Sequence, residues 1–418
     1  MTTSTNSALS DITILDLCEE KGQLIGKLLG EMGARVIKVE PPGGDRARIV
    51  GPFRGDTLDR EGSLHFWAFN TAKEGITLDI ASAKGAEVLR KLVEKADVLL
   101  ESYDPGYLDS LGLGYDDLSA INPGLVMTSV TGFGQDGPYR DYKTSDLVAM
   151  AMGGIMHSCG YDDLPGSPPI RPSGGHGYIT ASHYATIGTL MALNWRDMTG
   201  EGQYVDASIH EACSCTTEAA MPLYIYGGDV VHRQTGRHHG AQPTPKTLCP
   251  TADDKFINVF AVFTSLNQWK SLVAWMDSEG MAEDLTDEKY LDMATMRARA
   301  GEEVEHAFEV VKKFIASHTA EEIYRGSQQR KFPWGIIRSP EENLDDPHFR
   351  EDRGFFAEVE HPELGETYTY AGRPYIFNKT PWRTFRSPLL GEHNQSVYGK
   401  DLGLDDEEIA RLRAEGVI

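Results

Sequence analysis

Basic residues are scarce in this chain. Its 418 residues carry 40 Lys and Arg against 63 Asp and Glu, a formal net charge of -23. Such a surface repels nucleic acid and anionic membranes, so neither is expected as a partner. A polyanionic ligand has to be met by a local cluster of cations or helix N-termini. Cysteine is also sparse. Cys18, Cys159, Cys213, Cys215 and Cys249 are odd in number and scattered, and Cys213-x-Cys215 has no second pair to complete a metal site. Free thiols and a cytoplasmic location are expected. No apolar run reaches the roughly eighteen residues that a membrane span needs. The opening MTTSTNSALSD has neither a basic stretch nor an apolar core, so no signal peptide is expected.

What is present is a rhythm of short apolar strands and helices. Ile12 to Leu17 (ITILDL) reads as a buried strand, and Glu20 to Gly33 carries Leu24, Ile25, Leu28, Leu29 and Met32 at helical spacing. Gly33 ends that helix and RVIKVE, Arg35 to Glu40, is the next strand. GITLDI, a helix over Lys84 to Ala96, DVLLES and Leu125 to Val130 continue the alternation, which predicts a parallel sheet. Thr131 to Pro138 is a glycine-rich loop and Ser145 to Met156 a helix of small residues. After Val231 the texture changes: HRQTGRHHGAQPTPKT is polar and turn-rich. A strand over Phe256 to Val262 and helices over Leu266 to Met281 and Met293 to His318 suggest a smaller α+β domain. The expected division is a large Rossmann-like domain over 1–230, a small α+β domain with linkers over 231–331, and a return to the large domain over 332–418.

Two ligand classes are disfavoured by pattern. Glu40 ends the second strand of a βαβ unit, as the ribose-binding acid of a dinucleotide fold does. The turn after ITILDL reads CEEKGQLIG, however, and Gly22, Gly26 and Gly30 fall at helical spacing rather than as G-x-G-x-x-G. His232, His238 and His239 have no carboxylate or cysteine pattern beside them, so no metal site is expected.

The segment RPSGGHGYITASHYATIGTLMALNWRDMTGEGQYVDASI, Arg171 to Ile209, resembles the corresponding stretch of the class III CoA-transferases, the formyl-CoA and carnitine CoA-transferase family. ITILDLCEEKGQLIGKLLGEMGARVIKVEPPGGD, FNTAKEGITLDI, ADVLLESYDPGYLDSLG, TGFGQDGPY, FPWGIIRSPEENLDDPHF and PLLGEHN match that family in order. The resemblance implies a Rossmann-like large domain, a smaller α+β domain and two chains threaded through each other as interlocked rings. It implies no permanently bound cofactor and a coenzyme A thioester as substrate. CoA passes from an acyl-CoA to a carboxylic acid through anhydride and thioester forms of one aspartate.

Counting back from Thr199-Gly200-Glu201-Gly202-Gln203 puts Tyr178 where that aspartate falls. A phenol, whose ordinary pKa is about 10, cannot replace the carboxylate, and no carboxylate lies between Arg171 and Arg196. The family's CoA-contacting positions are matched by Pro41-Pro42, Ser102 and Ser110, which are not basic residues or the family's asparagine. Lys73 and Lys143 still match and are the candidates for cofactor binding. Asp146 is expected to cap the helix it opens. His176 and His183 flank Tyr178 as spacers or bases. The racemases of the family use a histidine at the Ser145 position and an aspartate at Tyr178, so that activity is not expected. The resemblance therefore implies a subunit without a nucleophile, paired with a homologous aspartate-bearing chain. The opening is similar to the branch that acts on succinyl-CoA and (R)-benzylsuccinate. A homodimeric transferase using a displaced carboxylate, and a CoA-binding protein without turnover, are the alternatives.

Overall fold

Six parallel strands form one sheet in the computed structural model, which describes residues 7–259, 265–290 and 301–418. In chain order these are β1 (Thr13–Leu17), α1 (Gln23–Glu31), β2 (Arg35–Glu40), α2 (Leu64–Phe69), β3 (Lys73–Thr77), α3 (Ala83–Val93) and β4 (Val98–Glu101). There follow α4 (Tyr107–Ser110), α5 (Tyr115–Ile121), β5 (Val126–Thr131), α6 (Asp146–Met152), α7 (His176–Thr199), β6 (Tyr204–Ser208) and α8 (Ile209–Cys215). Their order across the sheet is β3-β2-β1-β4-β5-β6. Ile14 lies opposite both Val36 and Val98, while Asp16 lies opposite Lys38 and Leu17 opposite Glu101 toward the carboxyl ends. The expected parallel sheet and the short strands are present, the terminal residues shifting by one to three positions. The order reverses between β1 and β4, and in such sheets ligands settle outside the carboxyl ends of the strands at that point.

The glycines of α1 account for its closeness to the sheet. A side chain at Gly26 would meet Asp16 Oδ2 at 2.3 Å, and one at Gly30 the carbonyl of Ala72 at 2.7 Å. The helical spacing of these glycines therefore serves packing. Glu40 is buried and held by Arg48 at 2.6 Å and by the Asp45 amide at 2.9 Å, so it has no capacity left for a ribose.

The chain separates into two compact units. The first comprises residues up to Ile155, Arg171–Thr217 and Pro347–Ile418. One core cluster joins the sheet face that carries Leu15, Ile37, Leu99 and Met127 to Tyr398, Ile409 and Leu412 of the returning chain. Asn394 donates to Thr77 Oγ1 and Tyr398 to the Thr77 carbonyl, which fastens that return to β3. The second unit, Met156–Ile170 and Glu218–Asp346, has α9 (Ala220–Gly227), an antiparallel sheet of β7 (Leu248–Pro250), β8 (Phe256–Asn258) and β9 (Gly335–Ile336), and helices α10 (Leu266–Ser278), α11 (Glu302–Ala316) and α12 (Ala320–Gln329). Trp269, Trp275, Phe314 and Trp334 fill its core. The parts of the expected strand and helix at 260–262 and 293–300 lie outside the described residues.

Two helices leave apolar side chains uncovered. On α7, Tyr184, Ile187, Met191, Trp195 and Met198 follow one face and are all exposed. On α9 no residue is buried, and Met221, Tyr224, Ile225 and Tyr226 are exposed. No described helix is long and apolar enough to cross a membrane.

Candidate active site

The start of α7 is built by a distant carboxylate. Gly174 and Gly175 turn with positive φ into the helix, and Gly175 offers no capping side chain. Asp146 supplies the acceptor: its Oδ1 takes the amide of Gly177 at 2.8 Å and that of Tyr178 at 3.3 Å. Two amides that a helix start leaves without partners are thereby satisfied. The expected role of Asp146 needs correction, because Ser145 caps α6 through the Val148 amide and Asp146 caps α7 instead. The approach is tight. A side chain at Gly177 would sit 3.1 Å from Asp146 Oδ1 and 3.3 Å from Cys213 Sγ.

Tyr178 therefore stands in the first turn of a 24-residue helix, half-buried. Burial, then the charges of Glu20 and Asp146, push its phenol up to about 12. At neutral pH it is an O–H group and not a nucleophile. A carboxylate at the same place would gain from the amide dipoles of the helix start, a setting that a neutral phenol does not use. Cys213 is no substitute, since burial and Asp146 raise its thiol to about 11. His176 is exposed, and a ring nitrogen of exposed His183 meets the Ile179 carbonyl at 2.8 Å. Neither is hydrogen-bonded to Tyr178 among the described contacts.

A second cluster lies at the carboxyl ends of β1, β4 and β5, where the strand order reverses. A cavity of about 180 Å³ is lined there by Lys21, Tyr103, Asp104, Thr131, Arg140 and Lys143 among others. Lys143 pairs with Asp104 at 2.6 Å, with both side chains exposed. Lys21 donates to the Ser102 carbonyl at 3.3 Å. Lys21, Arg140 and Lys143 share this hollow with Asp104 and Asp141, which pair with Lys143 at 2.6 Å and with Arg140 at 3.9 Å, so only a small positive excess is left for an anion. Of these lining residues the sequence singled out Lys143 alone; Lys21 and Arg140, which follow β1 and the glycine-rich loop, were not singled out. Lys73 is a correction. It is fully buried, and its ammonium donates to Asp16 at 2.7 Å, the Gln23 carbonyl at 2.7 Å and Asn70 at 2.9 Å. All three of its protons are used inside the fold. Ser102 is also committed, accepting the Glu19 amide at 2.9 Å, while Ser110 donates to the Tyr107 carbonyl. Pro41 and Pro42 are exposed after β2.

A neighbouring cavity of about 310 Å³ is lined by Glu101, Tyr107, Asp109, Arg140 and Tyr204 among others. Glu101 is buried, and removal from water raises its carboxyl to about 7 despite the Tyr103 amide at 2.8 Å. Sequence pattern gave no sign of it, because its environment comes from three strands.

The sequence model of CoA-transferase family III matches residues 9–394. The chain is 34% identical over 417 residues to a succinyl-CoA:D-citramalate CoA-transferase of Chloroflexus aurantiacus, covering 98% of each. It is also 34% identical over 413 residues to the BbsE subunit of a succinyl-CoA:(R)-benzylsuccinate CoA-transferase of Thauera aromatica, again covering 98% of each. Among solved structures, a CAIB/BAIF family protein of Brucella suis superposes with a TM-score of 0.78 at 26% identity, over 94% of this chain and 99% of that one.

Proposed function

The chain belongs to CoA-transferase family III, and from that premise we propose that it is the subunit without a nucleophile in a hetero-oligomeric CoA-transferase. The observation that carries this reading is Tyr178: a neutral phenol in the first turn of α7, where the family's aspartate is expected. The acting aspartate then belongs to a homologous partner chain. It attacks the acyl-CoA carbonyl, and the resulting anhydride is reopened by CoA thiolate to give an aspartyl thioester and the free acid. The acceptor carboxylate repeats the cycle in reverse and leaves as its CoA thioester. Succinyl-CoA is the proposed donor and an aromatic dicarboxylate such as benzylsuccinate the proposed acceptor.

The relatives' names do not decide the subunit question, since one names a subunit and one of equal identity does not. The apolar stripe of α7 gives separate support for a partner. Five large exposed side chains on one helix face are more than a lone soluble chain ordinarily leaves in water. The reading also takes Lys143 as a remnant of a CoA cradle, with Pro41, Ser102 and Ser110 marking its decline. Trapping with acyl-CoA and hydroxylamine tests the assignment. Only the partner's aspartate should be acylated, and an acylated carboxylate on this chain would favour the displaced-carboxylate alternative.

A further inference from the structure

The loop that the sequence marks as polar and turn-rich holds two histidines in an unusual setting. His238 and His239 are stacked with ring centroids 4.3 Å apart. The fold brings Glu218 to them from twenty residues upstream: its Oε2 lies 2.6 Å from His238 Nε2 and 3.8 Å from His239 Nε2. One donor atom from each of the three residues falls within 4.8 Å of the others. The sequence offered no supporting carboxylate for these histidines; the structure provides one.

The hydrogen bonding of His238 sharpens the point. Its Nδ1 meets the backbone carbonyl of His239 at 2.7 Å. A carbonyl only accepts, so Nδ1 carries a proton. In the neutral ring Nε2 then presents a lone pair, and it faces a carboxylate oxygen. Two acceptors at 2.6 Å are compatible only with a second proton between them, and a divalent cation can take that proton's place once the pair opens to metal-ligand spacing. Donation of Nδ1–H to a carbonyl is also how metal-binding histidines are ordinarily oriented. The loop behind them is fixed independently of any ligand. Buried Gln234 donates to the Gln242 carbonyl at 3.0 Å and accepts from Arg237 at 2.6 Å, and Arg237 also pairs with Asp162 at 2.7 Å.

We infer that Glu218, His238 and His239 form a binding site for a divalent transition metal, with Zn2+ the best match to two imidazoles and one carboxylate. Bonds of about 2.0–2.1 Å in a tetrahedron set neighbouring donors about 3.3 Å apart. Small rotations of these side chains reach that spacing, since His238 and Glu218 are each more than half exposed. A solvent molecule completes the coordination. The ion would tie Glu218, whose backbone is left-handed at φ 52°, to the loop at 238–239 and so stiffen the second unit. This inference does not depend on the proposed subunit role.

Zinc titration of the metal-free full-length chain by calorimetry tests it, together with thermal unfolding in excess ZnCl2. The expected results are one ion per chain and a rise in unfolding temperature. Both H238Q and E218Q should weaken binding by at least about tenfold and abolish the thermal shift. Because these side chains are exposed, neither substitution disturbs packing. His318→Gln removes a comparable histidine from its pairing with Glu279 at 2.7 Å, and it should change neither result. Absence of stoichiometric binding would overturn the inference and leave a protonated His238–Glu218 pair. Binding unchanged in both H238Q and E218Q would overturn it as well.

Discussion

At the scale of single residues, Tyr178 carries the account. Burial keeps its hydroxyl as O–H, and the account gives the ring a space-filling role. Tyr178→Phe is therefore expected to leave the activity of the assembled complex within a few-fold, because shape is kept and one hydroxyl is lost. Tyr178→Asp should not by itself create a second active site, since Ser102 and Ser110 leave the thioester poorly placed and positioning matters as much as the nucleophile. Steady-state rates for both variants check this. Glu101 gives a pH prediction. Its folded carboxyl titrates near 7, above the ordinary 4.5. A raised folded value means that its contribution is fully present below about 4.5 and is lost as pH rises through about 7. Glu101→Gln should thus gain stability relative to the parent between pH 4 and 8, by on the order of 2–3 kcal/mol. Denaturant unfolding at both pH values measures it; a constant difference would show that the carboxyl is hydrated. Of these two residues only Tyr178 was singled out by the sequence, through the family resemblance and the count back from Thr199–Gln203. The burial of Glu101, like the pairing of Lys73 with Asp16 across 57 positions, arises between strands and leaves no local pattern.

Among the elements, α7 joins chemistry to assembly. Its inner face packs through Ala181, Ala185, Thr189 and Ala192, while large apolar residues point to solvent. Its first turn depends on Asp146, 31 positions upstream of Gly177. Asp146→Ala is expected to cost about 1 kcal/mol, the usual value of a helix cap, and calorimetric unfolding would show it. Trp195→Asp sits at the other end of the argument. If the stripe meets a partner, this change should weaken association at least tenfold while leaving the fold of the free chain intact, as expected for a buried aromatic anchor. Analytical ultracentrifugation reads the first effect and circular dichroism the second. The register of this helix was legible only through the family resemblance, counted back from the glycine turn at Gly200. Its tether was not, since an aspartate before an apolar run reads as the cap of its own helix until the second helix is in place. The strands β1, β2, β4 and β5 were legible because each sets several aliphatic residues in a short run between turn residues, even where polar positions such as Asp16 and Lys38 interrupt it. β3 begins two residues before the apolar stretch, where buried Lys73 breaks the pattern.

For the whole molecule, sheets of this order commonly hold ligands at the reversal between β1 and β4, and Lys21, Arg140 and Lys143 line a hollow there beside Asp104 and Asp141. That cavity and the Tyr178 turn are separate features of the first unit: Tyr178 is not among the cavity's lining residues. On the proposed reading of Tyr178, the chain is expected to work only with a complementary chain. The most direct measurement is CoA exchange between succinyl-CoA and a panel of carboxylic acids, made on this chain alone and after co-expression with an aspartate-bearing homologue. The account predicts no turnover above background for the isolated chain, and turnover together with a stable hetero-oligomer for the pair. Sustained turnover by the isolated chain would contradict it.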